Sequence, residues 1–314
     1  QLVRKQIVKI IEKTILVPLP AAPKELLTQA RTITLNEDQQ KALDHLDRQI
    51  ENRQFAVIVL HGVTDSGKTE VYIRAIEKVL AAGRQAIVLL PEIALTTQTI
   101  QRFGARFERI AVMHSGLSGP QRNAQWQAIR GGHADVVIGA RSAVFAPLQK
   151  LGLIVADEEH EAGYKQDTAP RYHGRDTAIK RAQIAGAVCL LGSATPSLET
   201  LHNCTVRKTY TQIRLPRRVQ DLPMPEMKVI DMRTAFEGMQ QKGPELLSPP
   251  LAAALGQTLN KGEQAILLLN RRGYSHFIYC PSCRHTLHCR NCDVTLTYHK
   301  RPSDRQGSAD TFVG

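Results

Sequence analysis

The sequence predicts a doubly wound α/β fold on a parallel sheet. Short apolar runs recur between residues 55 and 191, helical segments separate them, and a glycine-rich loop joins the first run to the first helix. The runs are Phe55–Leu60, Ala86–Leu90, Ile110–Met113, Val136–Gly139, Leu151–Ala156 and Ala187–Leu191. Each is apolar on both alternating faces, which is the pattern of a parallel strand covered on two sides. In Thr69–Ala82, Val71, Ala75, Ile76, Val79 and Leu80 share one helical face, and Gly83 supplies a stop.

Outside this repeat the pattern changes. Residues 1–30 hold a short apolar-periodic segment and VPLPAAPKE, read as a linker or a domain remnant; the α/β lobe is expected over 31–213. Residues 214–279 begin with a stretch rich in Pro, Arg and Met, expected to cross between lobes. Ser248–Asn260 as a helix and Gln264–Leu269 as a strand would then start a second, incomplete lobe. A cysteine-rich insertion occupies 280–299, and RPSDRQGSADTFVG over 300–314 is expected to be a disordered tail.

Lys and Arg total 41 against 29 Asp and Glu, a net charge of +12 that favours a polyanionic partner, nucleic acid ahead of an acidic membrane surface. No apolar run approaches the ~20 residues of a membrane span. Lys5, Lys9, Glu12 and Lys13 interrupt what would be a signal-peptide core, and the chain starts with Gln rather than Met, which reads as a fragment. Four of the six cysteines crowd into Cys280–Cys292, a pattern suited to metal ligation in a reducing cytoplasm.

Gly62-Val63-Thr64-Asp65-Ser66-Gly67-Lys68-Thr69 follows an apolar strand and opens a helix, the context of a nucleoside-triphosphate phosphate loop. Its backbone amides would curl around ATP phosphates, Lys68 would neutralise the outer ones, and the Thr69 hydroxyl would hold Mg²⁺. LGLIVADEEH is an apolar strand ending in carboxylates: Asp157 would join the Mg²⁺ shell and Glu158 would orient or deprotonate the attacking water. A lysine and two carboxylates on adjacent strands are the expected hydrolytic site. Ser193-Ala194-Thr195 after the next strand would sense the γ-phosphate, or would simply cap a helix. The order of phosphate loop, DEEH and SAT is that of superfamily 2 helicases, with a RecA-like lobe.

Longer stretches resemble one family. LNEDQ (35–39), GVTDSGKTEVY (62–72), LLPEIALTTQT (89–99), HSGLS (114–118), VVIGARSAVFAPL (136–148), LIVADEEHEAGYKQ (153–166), RYHGRD (171–176), LGSATPSLETL (191–201) and LLNRRGYS (268–275) together resemble the PriA family, primosomal protein N′. The resemblance implies an ATP-driven 3′-to-5′ helicase for single-stranded and branched fork DNA, bacterial, cytoplasmic and nucleoid-associated, working with primosome proteins and single-strand-binding protein. It implies that Gln39 recognises adenine and that His160, with Ser193 and Thr195, links hydrolysis to DNA. It also implies that Arg141 and Ser142 line the single-strand track and that Tyr164, Lys165, Arg171 and Tyr172 belong to an aromatic-rich DNA-binding loop, 164–172, that couples DNA binding to hydrolysis; for Arg141 a surface salt bridge is the competing reading.

Cys280-x2-Cys283-x5-Cys289-x2-Cys292 suggests a tetrathiolate Zn²⁺ site, although five residues are few between knuckles that serve one ion. The family completes each knuckle with later cysteines, so either these four share one zinc or two half-sites stay open. Asp65 stands where the family's loop has Gly, adding a carboxylate near the phosphates. The resemblance stops after His299, so a second motor lobe with its arginine finger is expected to be missing. The competing readings are a truncated ATP- and DNA-binding module without catalysis, and another superfamily 2 translocase.

Overall fold

The computed structural model describes residues 33–219, 223, 225–232, 234–235, 247–268, 286–290 and 292. The expectations for 1–30 and 300–314, and for Cys280 and Cys283, lie outside the described residues. The chain divides into two compact units, residues 1–224 and 225–314.

The first unit is a RecA-like lobe around a seven-stranded sheet. Helix α1 (Glu37–Glu51) leads in, followed by β1 (Ala56–Gly62), α2 (Lys68–Ala81), β2 (Gln85–Leu89), α3 (Thr97–Gly104), β3 (Ile110–Met113) and α4 (Gly119–Arg130). The chain continues through β4 (Val136–Gly139), β5 (Leu151–Ala156), α5 (Gly174–Ala185), β6 (Val188–Ser193), α6 (Leu198–Thr205) and β7 (Thr211–Leu215). The order across the sheet is β3-β4-β2-β5-β6-β1-β7, and every neighbouring pair is parallel. Parallel strands need crossover helices, and these cover both faces.

Alternation along the strands divides the core. Ile58, Leu60, Val88, Val155 and Leu190 face α1 and α2, whereas Val57, Val59, Ile87, Ile154 and Leu191 face Ala178 and Ala182 of α5. Helix starts follow local chemistry. Asn36 and Gln39 form a capping box on α1, Ser118 and Gln121 form one on α4, and Ser197 caps α6. The Ser/Thr cap expected after β6 is thus Ser197, with Pro196 just before it, and Gly83 at φ +70° follows α2.

Two expectations need correction. The strands of the phosphate loop and of DEEH are not neighbours, because β6 runs between β5 and β1. Crossovers are long enough to skip a strand, so chain order does not fix spatial order. Moreover, Thr211–Leu215 is a seventh strand, pairing with β1 along the sheet edge, where a loop had been expected to begin at 214.

In the second unit Ser248 caps α7 (Pro249–Asn260), the expected helix. Residues 264–268 form no strand, with Ile266 99% and Leu268 93% exposed. A strand needs a partner ladder, and the described residues of this unit contain no other strand. Among the described residues no helix is long and apolar enough to cross a membrane.

Candidate active site

The phosphate loop, the DEEH turn and the Ser193–Thr195 segment each lie at the carboxyl end of a strand, the edge at which open α/β sheets bind ligands. β1 ends at Gly62 and the chain loops through Val63, Thr64, Asp65, Ser66 and Gly67 into α2. The loop is closed tightly. A Cβ on Gly62 would lie 2.4 Å from Ser66 Oγ, and one on Gly67 would lie 2.3 Å from Gln39 Nε2. Asp65 sits at φ +64°, a left-handed conformation that Asp tolerates better than most residues; its side chain is exposed. Gly67 brings no side chain to cap α2, leaving the first-turn amides of the helix to the loop. Lys68 is buried, and its Nζ donates to Gly62 O at 3.0 Å across the loop; Thr69 follows on the first turn.

Gln39 fastens α1 to this loop. Its Nε2 donates to Ser66 O at 2.9 Å while its Oε1 accepts from Asn36 N at 2.9 Å, so both ends of the amide are engaged. From the other side, Val63 N donates to Leu215 O at 3.1 Å, Val219 N donates to Asp65 O at 2.8 Å, and Arg217 pairs with Asp38 at 2.8 Å.

The acidic run at the end of β5 turns three carboxylates in three directions. Asp157 accepts from the Tyr72 hydroxyl at 2.8 Å, and burial pushes its carboxyl above the ordinary range although Tyr72 and Lys68 pull it back. Glu158, at φ +44°, is part-exposed; burial and then Asp157 raise its carboxyl too. Glu159 points inward, 1% exposed, accepting from Ser197 N at 2.7 Å and Thr200 Oγ1 at 3.0 Å and pairing with Arg175 at 3.0 Å. The hydroxyl of Thr69 and the carboxylate of Asp157 are hard oxygen donors, a set that suits Mg²⁺.

His160, Ser193 and Thr195 come together. His160 Nδ1 lies 2.7 Å from Ser193 Oγ and 3.6 Å from Glu158 Oε2, and its Nε2 lies 3.5 Å from Thr195 Oγ1. A side-chain path therefore leads from the acidic turn to the end of β6.

Beside this site a cleft of about 670 Å³ is lined by residues including Pro91, His114, Arg122, Arg141, Ser142 and Phe145. Arg141 stands 5.5 Å from the ring centre of Tyr172, and Phe145, 49% exposed, meets the same ring edge-on at 5.0 Å. Arg141 Nη1 also donates to Gly163 O at 3.0 Å; among the described residues the competing surface salt bridge is not formed. Lys165 and Arg171 are exposed on a loop closed by the Lys165–His173 bridge. Tyr164, expected among the DNA-binding residues of the coupling loop, is not at the surface. It is 2% exposed, and its hydroxyl donates to Asp157 O at 2.7 Å and Leu89 O at 3.0 Å, supporting the loop from beneath.

Cys289 and Cys292 belong to the second unit, with Cys280 and Cys283 outside the described residues, so the four-cysteine set is not assembled among them. Sequence reasoning missed Tyr72, Glu159, Arg175 and Gly192. Tyr72 carried a signal, a polar-tipped residue one turn after Lys68 among the buried apolar residues of α2. The partners of Glu159 come from 16 to 41 residues away, a distance no local pattern reveals.

Residues 36–204 match the family model of the DEAD/DEAH box helicases. The chain is 43% identical over 277 residues to the replication restart protein PriA of Bacillus subtilis, covering 88% of this chain and 34% of that protein. It is 45% identical over 247 residues to the Synechocystis protein of the same name, covering 77% and 29%. The chain thus spans about a third of the length of the curated relatives it matches. A solved structure of RecG bound to a three-way DNA junction has a TM-score of 0.43 at 19% identity, over 68% of this chain and 28% of that one.

Proposed function

Since the chain belongs to the DEAD/DEAH box helicase family, we propose that it is the ATP-hydrolysing lobe of a 3′-to-5′ DNA motor acting in replication restart. The observation that carries this reading is a convergence at one sheet edge. The phosphate loop with Lys68, the Asp157–Glu158 turn and the His160–Ser193 contact occupy the ends of β1, β5 and β6.

In this reading the amides from Gly62 to Thr69 cradle the phosphates and Lys68 neutralises the outer ones. Thr69 and Asp157 would hold Mg²⁺, which when bound would draw negative charge from the phosphate oxygens. Glu158 orients the attacking water and takes its proton. His160, Ser193 and Thr195 transmit the state of the phosphates. Gln39, already bonded to the loop, is the adenine-side residue.

Single-stranded DNA follows the cleft, with Arg141, Ser142, Lys165 and Arg171 at the backbone and Tyr172 beneath a base. Branched forks, primosome proteins, single-strand-binding protein and a bacterial cytoplasmic, nucleoid-associated setting are proposed from the likeness to the replication restart relatives. Zn²⁺ on Cys280, Cys283, Cys289 and Cys292 rests on their spacing alone, and metal analysis of the purified chain tests it.

The deciding experiment measures ATP turnover with and without single-stranded DNA, beside Lys68→Ala. Turnover should rise with DNA and fall at least ~100-fold in the variant, as when a group that stabilises charge in the transition state is lost. Equal rates would leave a non-catalytic ATP- and DNA-binding module.

A further inference from the structure

Tyr72 lies one helical turn beyond Lys68, on the same face of α2, and is completely buried. A phenylalanine would fill that volume without bringing a hydroxyl into the core, where an unpaired hydroxyl is costly. The hydroxyl has a specific acceptor, Asp157 Oδ1 at 2.8 Å, on a turn 85 residues further along the chain.

To reach it, the phenol crosses β6, the strand between β1 and β5. It crosses at Gly192, the residue before Ser193. A Cβ there would lie 1.6 Å from Tyr72 Oη, 2.7 Å from its Cζ and 3.2 Å from Asp157 Oδ1. Any side chain at 192 would displace the phenol. Tyrosine, glycine and aspartate therefore form one fitted unit spanning α2, β6 and the end of β5.

From this geometry we infer that Tyr72 is a positioning residue for the metal-binding carboxylate. Its hydroxyl holds one oxygen of Asp157, so that the carboxylate meets Mg²⁺ in a single orientation, and Gly192 is the gap that lets it do so. The inference rests on the proposed reading of Asp157 as an Mg²⁺ ligand. It ties the phosphate-loop helix to the acidic turn even though their strands are not adjacent.

The test is a titration of the full chain with an N-methylanthraniloyl-labelled ATP, in Mg²⁺ and separately in EDTA. Tyr72→Phe should weaken binding in Mg²⁺ by about tenfold, the scale of a lost hydrogen bond to a charged group, and raise the half-saturating Mg²⁺ concentration similarly. Affinity in EDTA should not change. Gly192→Ala should reproduce this pattern, and the double variant should be no worse than the more impaired single one, because both act on one contact.

A merely structural tyrosine gives a different result. Tyr72→Phe would then lower the unfolding midpoint while affinities in Mg²⁺ and EDTA kept their wild-type ratio, and the inference would fall with the ATP reading intact. Wild-type chain that binds the nucleotide under neither condition would remove both together.

Discussion

Asp157, Glu158 and Glu159 are consecutive, yet what each touches gives it a separate task. Glu159 is locked between Arg175 and the start of α6, so its removal leaves a guanidinium that is 11% exposed without its buried partner. Glu159→Ala is expected to cost about 3 kcal/mol, at the lower end for breaking a buried pair because exposed Asp176 still meets Arg175. Glu158→Gln touches no such contact. It should leave stability within about 0.5 kcal/mol and abolish turnover while nucleotide still binds. Urea unfolding of both variants beside their ATP turnover separates the roles; a large loss of stability in Glu158→Gln would sink the assignment. Asp65 belongs to this scale too. The structure explains how an aspartate occupies a glycine's place: its φ is left-handed, its carboxylate is exposed, and its carbonyl is held by Val219 N. Asp65→Gly removes a negative charge beside the loop at little conformational cost. It should tighten ATP binding severalfold, with a stability change below about 1 kcal/mol, as calorimetry and thermal unfolding would show.

At the scale of elements, β7 shows most clearly where packing acts on the site. Leu215 is 1% exposed beneath Gly62, and its carbonyl accepts from Val63 N at the base of the phosphate loop. Leu215→Ala should cost about 2–4 kcal/mol from the cavity and also weaken nucleotide binding, since the loop loses its floor. Unchanged affinity in a folded variant would show that the loop does not depend on the edge strand. β7 was not legible in advance because TQIRL lies at an edge with every residue but Leu215 exposed or part-exposed, so no apolar run marks it. The central strands were legible for the opposite reason: β2, β4, β5 and β6 are buried at every residue, which forces continuous apolar runs. The motifs at strand ends could be read because loop chemistry is local. The lateral order of the strands could not, and with it went the contact between Tyr72 and Asp157 across β6.

For the molecule as a whole, the net charge of +12 becomes an argument only when charges are separated from ring contacts. In the first unit, Lys165 and Arg171 are exposed beside the cleft; Lys165 reaches Asp167 only at 3.8 Å between exposed side chains, and Arg171 donates to a backbone carbonyl. Among the described residues neither charge is buried or firmly neutralised, so both are available to phosphates. Phe145, beside Tyr172, presents an uncharged face at the same cleft. If single-stranded DNA runs there, these residues contribute through different physics. Each phosphate contact releases counterions and contributes about −0.7 to the slope of log K against log salt, whereas stacking contributes affinity with little salt dependence. Arg171→Ala should therefore weaken binding and flatten that slope by about 0.7. Phe145→Ala should weaken binding by about 1–3 kcal/mol and leave the slope unchanged. Fluorescence anisotropy of a labelled oligonucleotide across a salt series measures both quantities. If neither variant differs from the wild type at any salt concentration, DNA does not use this cleft, and the source of the chain's affinity lies on another face of its basic surface.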